Sequence, residues 1–513
     1  MVSNLKKIML ISLLFSLLAM FNSCLSVDQR EYLQQILPES QRHIFQHFDD
    51  FTETEKEHLF ESIQKVDWVK FNDLCNREQS QHHINTEYVE FEPAIPSKDQ
   101  SFEDCNKGDE VLRNGHKEGS AQLGFIMVAG GTGSGLQYPD PKGMFPATTL
   151  SNKSLYLTII EKIREAALAH GHDKMYPLVL MLSDKTEAKT IAYIKSLDIW
   201  DAIKDRIIFV MQQQLPELIM NEQGNCEIFL KQNNVSFTGA GHGDAFDYVL
   251  NESLHVTGKI WDTVHGNFVE KEVVLWLRNI GVQCIQYTNV DNPLMPIDKN
   301  FIGAHVLSRN IEKEKTEHRA HISLMLVKKE TSEDRLGNVI IVDGNKESID
   351  YGTASVDIKT KCAYGDPSIR LVTLESLQGS ISIEKYSFVK KSDKDADGNE
   401  IYVYKFEFSS GDKKRYGVEV LRDRDTVFAP IKNRDETHTQ ETPSTSKKLQ
   451  SNYWKRIIQD AYPELVIPED MLIELPWACD SVCMTSEQLK EKLDESNFID
   501  YLYKGFDVLV TQQ

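Results

Sequence analysis

The sequence has no Walker phosphate loop. The pattern Gly-x-x-x-x-Gly-Lys-Ser/Thr occurs nowhere in it, which excludes the commonest cradle for a nucleoside triphosphate. Cysteine is scarce: Cys24, Cys75, Cys105, Cys226, Cys284, Cys362, Cys479 and Cys483 are scattered over 513 residues without a Cys-x-x-Cys pair. That spacing argues against a disulfide framework and against a zinc site, and Cys284, inside an apolar strand pattern, reads as a reduced core thiol. Positive charge is also in short supply. Lys and Arg number 57 against 78 Asp and Glu, for a net charge of −21. Such a surface repels nucleic acid and anionic lipid, so no nucleic-acid partner is expected and a phosphate ligand would need a locally basic pocket.

Long apolar runs are nearly absent. The exception, Ile8 to Phe21 behind Lys6 and Lys7, is short for a membrane span but suits a secretion signal or an anchor. Residues 1–27 are therefore read as a targeting or anchoring segment, and any membrane association as acting through it alone. Cys24 as a lipid acceptor is a poor match after Phe21-Asn22-Ser23. The chain as a whole, 41% hydrophobic and 26% charged, has the composition of a globular protein too long for one core.

What is present is a dense glycine loop. The apolar stretch Leu123–Ala129 runs into Gly130, Gly131, Gly133 and Gly135, followed by Pro141-Lys142-Gly143. Glycines let backbone N–H groups approach an anion, and a neighbouring lysine adds a full charge. The dinucleotide fingerprint does not fit, because Gln137 and Tyr138 stand where a third glycine is needed.

Residues Glu31 to Arg77 read as helical, with Phe60, Ile63, Val66, Val69 and Phe71 near helical spacing and a capping box at Thr52 and Glu55. The polar stretch Glu78 to Lys117, with Pro93 and Pro96, reads as a linker. Beyond it strands and helices alternate: strand Leu123–Ala129, helix Leu155–His170 stopped by Gly171, strand Leu178–Leu182, helix Thr186–Leu197, strand Arg206–Met211, strands Cys284–Val290 and Asn338–Val342. This order predicts an α/β sheet covered on both faces, with ligand at the carboxyl ends of the strands. The glycine loop, Gln212 and Asp291 all fall there. After Ser380 the pattern turns β-rich. The stretch Asn433 to Lys447 reads as a flexible loop, and Thr485 with Gln488 marks a late helix start. Asp393 to Gly398 opens like a calcium loop, but its twelfth position is Tyr404, so a hairpin turn is expected.

At this point the chain resembles the UDP-sugar pyrophosphorylases, and most closely the UDP-N-acetylglucosamine pyrophosphorylases. The resemblance is carried, in order, by the N-terminal helical region, the glycine loop with Pro141-Lys142-Gly143, VMQQQLP (Val210 to Pro216), Gly241-His242-Gly243, VDNPLMPIDKNFIG (Val290 to Gly303) and VLRDRDTVFAPIKN (Val420 to Asn433). It implies a Rossmann-like, GT-A-like nucleotidyltransferase fold. That is an α/β mixed sheet with helices on both faces, an N-terminal helical region and a small β-rich C-terminal region. The implied domains are 28–122 (helical region and linker), 123–435 (catalytic) and 436–513 (C-terminal). The implied reaction is uridylyl transfer from UTP to a sugar 1-phosphate with Mg²⁺. Gly130, Gly131 and Gly133 would cradle the nucleotide, Gln212 and Gly241 would hold uracil, and Lys142 and Lys432 would act on the phosphates. Asp291 would hold the metal, and His242 and Lys329 would lie near the sugar phosphate. Two departures stand out. The family's loop reads Gly-Gly-x-Gly-Thr-Arg-Leu-Gly, and its arginine is Gly135 here; the family's Gly-Asn-Ile near the sugar falls at Pro367-Ser368-Ile369. Arginine binds phosphate through paired charge-assisted hydrogen bonds, and losing one such contact costs ~10²–10³ in rate. The alternative is thus a catalytically impaired homologue that still binds nucleotide or nucleotide sugar, in which Gly135→Arg would raise activity. Lys153 is a candidate to replace the lost guanidinium.

Overall fold

The computed structural model describes residues 29–45, 48–80, 88–90, 98–114, 121–221, 223–312, 321–342, 345–349, 351–352, 354–377, 387–394, 399–408, 415–495 and 508–509. The leader reading of residues 1–27 lies outside them. Among the described residues no helix is long and apolar enough to cross a membrane. The chain divides into two compact units.

The smaller unit comprises the described residues of 1–84, 214–238 and 388–406. Its helices include Gln29–Ile36, Glu53–Gln64 and Trp68–Ser80. Thr52 and Glu55 form the expected capping box. The chain breaks between Gln64 and Trp68, however, so one continuous apolar stripe cannot persist and Val69 is left 83% exposed. The buried amide of Gln41 replaces a strand neighbour: its Nε2 donates to the Cys226 carbonyl at 2.9 Å, and its Oε1 accepts from the Ile228 N–H at 2.8 Å. Strands Ser387–Lys394 and Glu400–Glu407 are neighbours in a small sheet. Their adjacency fits the hairpin read from the calcium-like motif, whose tip at 395–398 lies outside the described residues.

The larger unit is built on a 13-stranded mixed sheet. At its centre four parallel strands lie in the order Cys284–Asn289, Leu123–Val128, Leu178–Leu182 and Ile207–Met211. Antiparallel strands flank them, Arg370–Thr373 on one side and Thr257–Asp262 on the other. Alternate residues leave opposite faces of each strand. Phe125, Met127, Leu178, Leu180 and Leu182 join the core beneath helix Leu155–Ala169. Ile126, Val179, Met181, Ile208 and Val210 join a second core with Phe246, Val249, Val274 and Leu277. Both faces are therefore covered, which is why the strand sequences read as unbroken apolar runs.

Two expectations need correction. The presumed linker contains strand Tyr88–Glu90 and the sixteen-residue helix Lys98–Arg113, both in the larger unit. That helix is polar and carries no broad apolar stripe. It docks on helix Lys299–Glu312 by close backbone approach: a Cβ on Gly108 would lie 1.8 Å from the Lys299 carbonyl oxygen, and one on Gly303 would lie 1.7 Å from that of Asp104. Neither oxygen can move as a flexible side chain would. Gly303→Ala is expected to lower unfolding free energy by about 2 kcal/mol, as overpacking typically does; urea denaturation followed by circular dichroism checks it.

The presumed loop at 433–447 instead contains the start of helix Pro443–Ala461. Thr442 caps it and Pro443 occupies its first turn, where a missing N–H costs nothing. The strands expected after Ser380 end at Arg415–Arg422, and the chain beyond is mainly helical. Thr485 and Gln488 cap helix Ser486–Glu495 as expected. The C-terminal segment is locked to helix Leu155–Ala169 by Lys162, whose side chain is 1% exposed and lies 3.4 Å from Asp480. The Lys162 ammonium sits 4.0 Å from the Trp477 ring centre, and Tyr453 donates to Asp480 at 2.9 Å.

Candidate active site

The carboxyl ends of the four parallel strands converge on one place. Leu123–Val128 leads into the glycine loop, Leu178–Leu182 into Ser183, Ile207–Met211 into Gln212, and Cys284–Asn289 into Asp291. Ser183 Oγ donates to the Gly130 carbonyl at 2.9 Å, so adjacent strand ends brace each other. Within the loop, Gly133 has φ +77°, a conformation that favours glycine, and its carbonyl accepts from the N–H groups of Leu136 and Tyr138 at 3.0 and 3.2 Å. The loop folds back so that the Lys142 N–H donates to the Gly131 carbonyl at 3.1 Å.

Three of the expected residues come together. Lys142 Nζ donates to Asp291 Oδ2 at 2.9 Å, and their side chains are only 17% and 14% exposed. Burial pushes the Asp291 carboxyl upward, but the charges of Lys142 and Lys432 outweigh it and hold the group below its usual range. Lys432 arrives from a distant segment by a specific route. The Ile431 N–H donates to the Asp291 carbonyl at 3.0 Å. The next side chain, Asn292, donates to the Val427 carbonyl at 2.8 Å and accepts from the Ala429 N–H at 3.0 Å. One dipeptide thus faces the site with its first side chain and pins the Val427–Lys432 segment with its second.

Glu441 was not legible in advance. It is a buried non-glycine residue at φ +56°, a conformation that stores strain. Its carbonyl accepts from the N–H groups of Lys432 and Asn433 at 2.7 and 3.0 Å, and its carboxylate lies 3.4 Å from Lys432 Nζ. Lys432 Nζ also donates to the Arg335 carbonyl at 3.2 Å. No local sequence signal marks contacts made across so many residues.

Gln212 lies against the loop. A Cβ on Gly130 would meet its Nε2 at 2.8 Å, and one on Gly239 would meet it at 2.0 Å. Gly239, not anticipated, thus gives Gln212 its space, and the glycine-dense FTGAGHG (Phe237 to Gly243) was the available signal. Gly241 has φ +102° and lies against the Phe408 backbone. His242 follows in a half-buried turn. Lys329 takes another direction: its Nζ donates to Asn338 Oδ1 and to the Lys359 carbonyl, each at 2.9 Å. Ser368, at the altered sugar motif, adopts φ +61°. Lys153 is already engaged, because both Glu161 oxygens accept from its Nζ at 2.9 and 2.7 Å.

The family model for UTP–glucose-1-phosphate uridylyltransferase matches residues 68–260. The chain is 23% identical over 447 residues to UDP-N-acetylhexosamine pyrophosphorylase-like protein 1 of Xenopus tropicalis, covering 80% of each. This chain is similar to the UDP-sugar pyrophosphorylases over part of its length. UDP-N-acetylglucosamine pyrophosphorylase of Saccharomyces cerevisiae is a second relative, 24% identical over 232 residues, with 43% of this chain and 48% of that one covered. The fold agrees with the crystal structure of uridine diphosphate N-acetylglucosamine pyrophosphorylase from Trypanosoma brucei, with a TM-score of 0.67, 21% identity and coverage of 93% and 97%.

Proposed function

We propose that this chain transfers a uridylyl group from UTP to a sugar 1-phosphate, releasing pyrophosphate. The observation that carries this reading is the Lys142–Asp291 pair, with Lys432 beside it, at the carboxyl ends of the parallel strands next to the glycine loop. A sugar-phosphate oxygen attacks the α-phosphorus; the bond from that phosphorus to the bridging oxygen breaks, and the electron pair leaves with pyrophosphate. The attacking oxygen is already ionised near neutral pH, so positioning and charge neutralisation supply the catalysis rather than a general base.

Gln212 offers an amide donor and acceptor, the complement of one uracil edge. Lys142 exchanges the Asp291 carboxylate for a phosphate oxygen when triphosphate enters, and Lys432 neutralises charge at the α-phosphate. The donor set fits a magnesium ion held sparingly. Among the described residues no group of three or more His, Cys, Asp or Glu surrounds a common point, whereas Mg²⁺ is commonly held by one or two carboxylates completed by substrate phosphates and water. Asp291 would be that carboxylate, and the ion would supply further neutralisation of the triphosphate. His242 and Lys329 remain the candidates on the sugar side.

The test is pyrophosphate release from purified protein with UTP, Mg²⁺ and a panel of hexosamine and hexose 1-phosphates. Release that depends on both substrates is the expected result. Binding of UTP without release under any of these conditions would overturn the enzymatic reading in favour of the binding-only alternative.

A further inference from the structure

We infer that Arg434, from outside the glycine loop, supplies the guanidinium that binds the departing pyrophosphate. This inference rests on the uridylyltransferase reading.

Three observations on this chain support it. First, the Lys432–Arg434 segment closes on the loop at the position of the missing side chain. A Cβ on Gly135 would lie 3.1 Å from the Lys432 carbonyl oxygen, so the backbone there leaves little room for a larger residue. Second, Arg434 reaches back over the loop, and its Nη1 donates to Gln137 Oε1 at 2.6 Å. Gln137 is a non-glycine residue at φ +51° immediately after the turn Ser134–Leu136, so the loop's strained exit holds the guanidinium. Third, that partner is neutral. Among the described residues no carboxylate forms an ion pair with Arg434: Glu441 is taken by Lys432, and Asp435 accepts from the Ser444 N–H. Arginine carries five N–H donors and Gln137 uses one. A full positive charge therefore stands at the loop in a chain whose net charge is −21. Two other cations near the loop are committed, Lys153 to Glu161 and Lys189 to Asp140.

Asp291 is reserved for the metal and Lys432 for the α-phosphate, with Lys142 on one phosphate oxygen, leaving most of the charge on the β- and γ-phosphates, which depart as pyrophosphate, to the loop. A guanidinium fixed through one N–H can still offer a phosphate two parallel hydrogen bonds. Holding the arginine on the opposite segment also explains how Gly135 is tolerated, and it reverses the expectation for Gly135→Arg. A new side chain there meets the Lys432 carbonyl and competes with Arg434, so activity should fall.

The experiment uses the full chain, with Arg434→Ala and Arg434→Lys assayed in both directions. Arg434→Ala should lower kcat/KM for UTP by ~10²-fold and raise the KM for pyrophosphate in the reverse reaction at least ~10-fold. The KM for sugar 1-phosphate should be unchanged, as a merely structural role would not leave it. Arg434→Lys should recover part of the loss. Arg434 is half-exposed, so the melting temperature should hold. An active wild type with an unaltered pyrophosphate KM in Arg434→Ala overturns the inference. An inactive wild type overturns the uridylyltransferase reading instead, and calorimetry with inorganic pyrophosphate then decides on Arg434. Weaker binding by Arg434→Ala supports it; equal binding, or none by the wild type, refutes it.

Discussion

Replacing Asp291 with asparagine should lower turnover by ~10³-fold while leaving the fold intact, because the carboxylate proposed to hold the magnesium ion is lost. Asparagine keeps the shape, yet it removes the negative charge that lies 2.9 Å from Lys142 and is influenced by Lys432. Steady-state pyrophosphate release measures the loss. A melting temperature within a few degrees of the wild type separates it from unfolding. The same electrostatics fix a pH dependence. The Asp291 carboxyl is held below its ordinary value, so its contribution to stability is complete above the unfolded value of about 4 and disappears as pH falls through the lower folded value. The carboxylate proposed to hold the metal should therefore stay ionised between about pH 7 and 5. A fall in Mg²⁺ affinity across that interval that is abolished in Asp291→Asn would contradict the assignment.

Lys162→Met should cost about 3–5 kcal/mol of stability, the range found when one partner of a buried ion pair is removed. Burial pushes the Lys162 ammonium down, and Asp480 opposes that shift. Methionine fills much of the volume but leaves the Asp480 carboxylate with Tyr453 and no cation. The double substitution Lys162→Met with Asp480→Asn should recover part of the loss, since a neutral amide removes the unpaired charge and still hydrogen-bonds to the Tyr453 hydroxyl and the Val482 N–H. Thermal melts of both proteins decide the matter. A single variant as stable as the wild type would mean that the aromatic cage, rather than the charge, holds the C-terminal segment.

The parallel core was legible because strands buried on both faces must be apolar throughout, and Leu178–Leu182 cannot be read otherwise. Lys142, Asp291 and Lys432 were legible because the glycine loop, VDNPLMPIDKN and FAPIKN each occur with the right neighbours. Other features left no local trace. Helix Lys98–Arg113 packs through Gly108 and Gly303 rather than an apolar stripe, so periodicity missed it. Glu441 matters because its carbonyl meets Lys432, a contact no window along the chain displays. Arg434 looks like one more surface cation until Gln137 is placed beneath it. Lys153 looked suitable by type, but its charge is spent on Glu161.

By gripping Val427 and Ala429, Asn292 sets the register of the whole basic wall against its neighbour in sequence, Asp291. Loss of the Asn292 side chain would therefore release Lys432 from its place beside Asp291 without altering either residue.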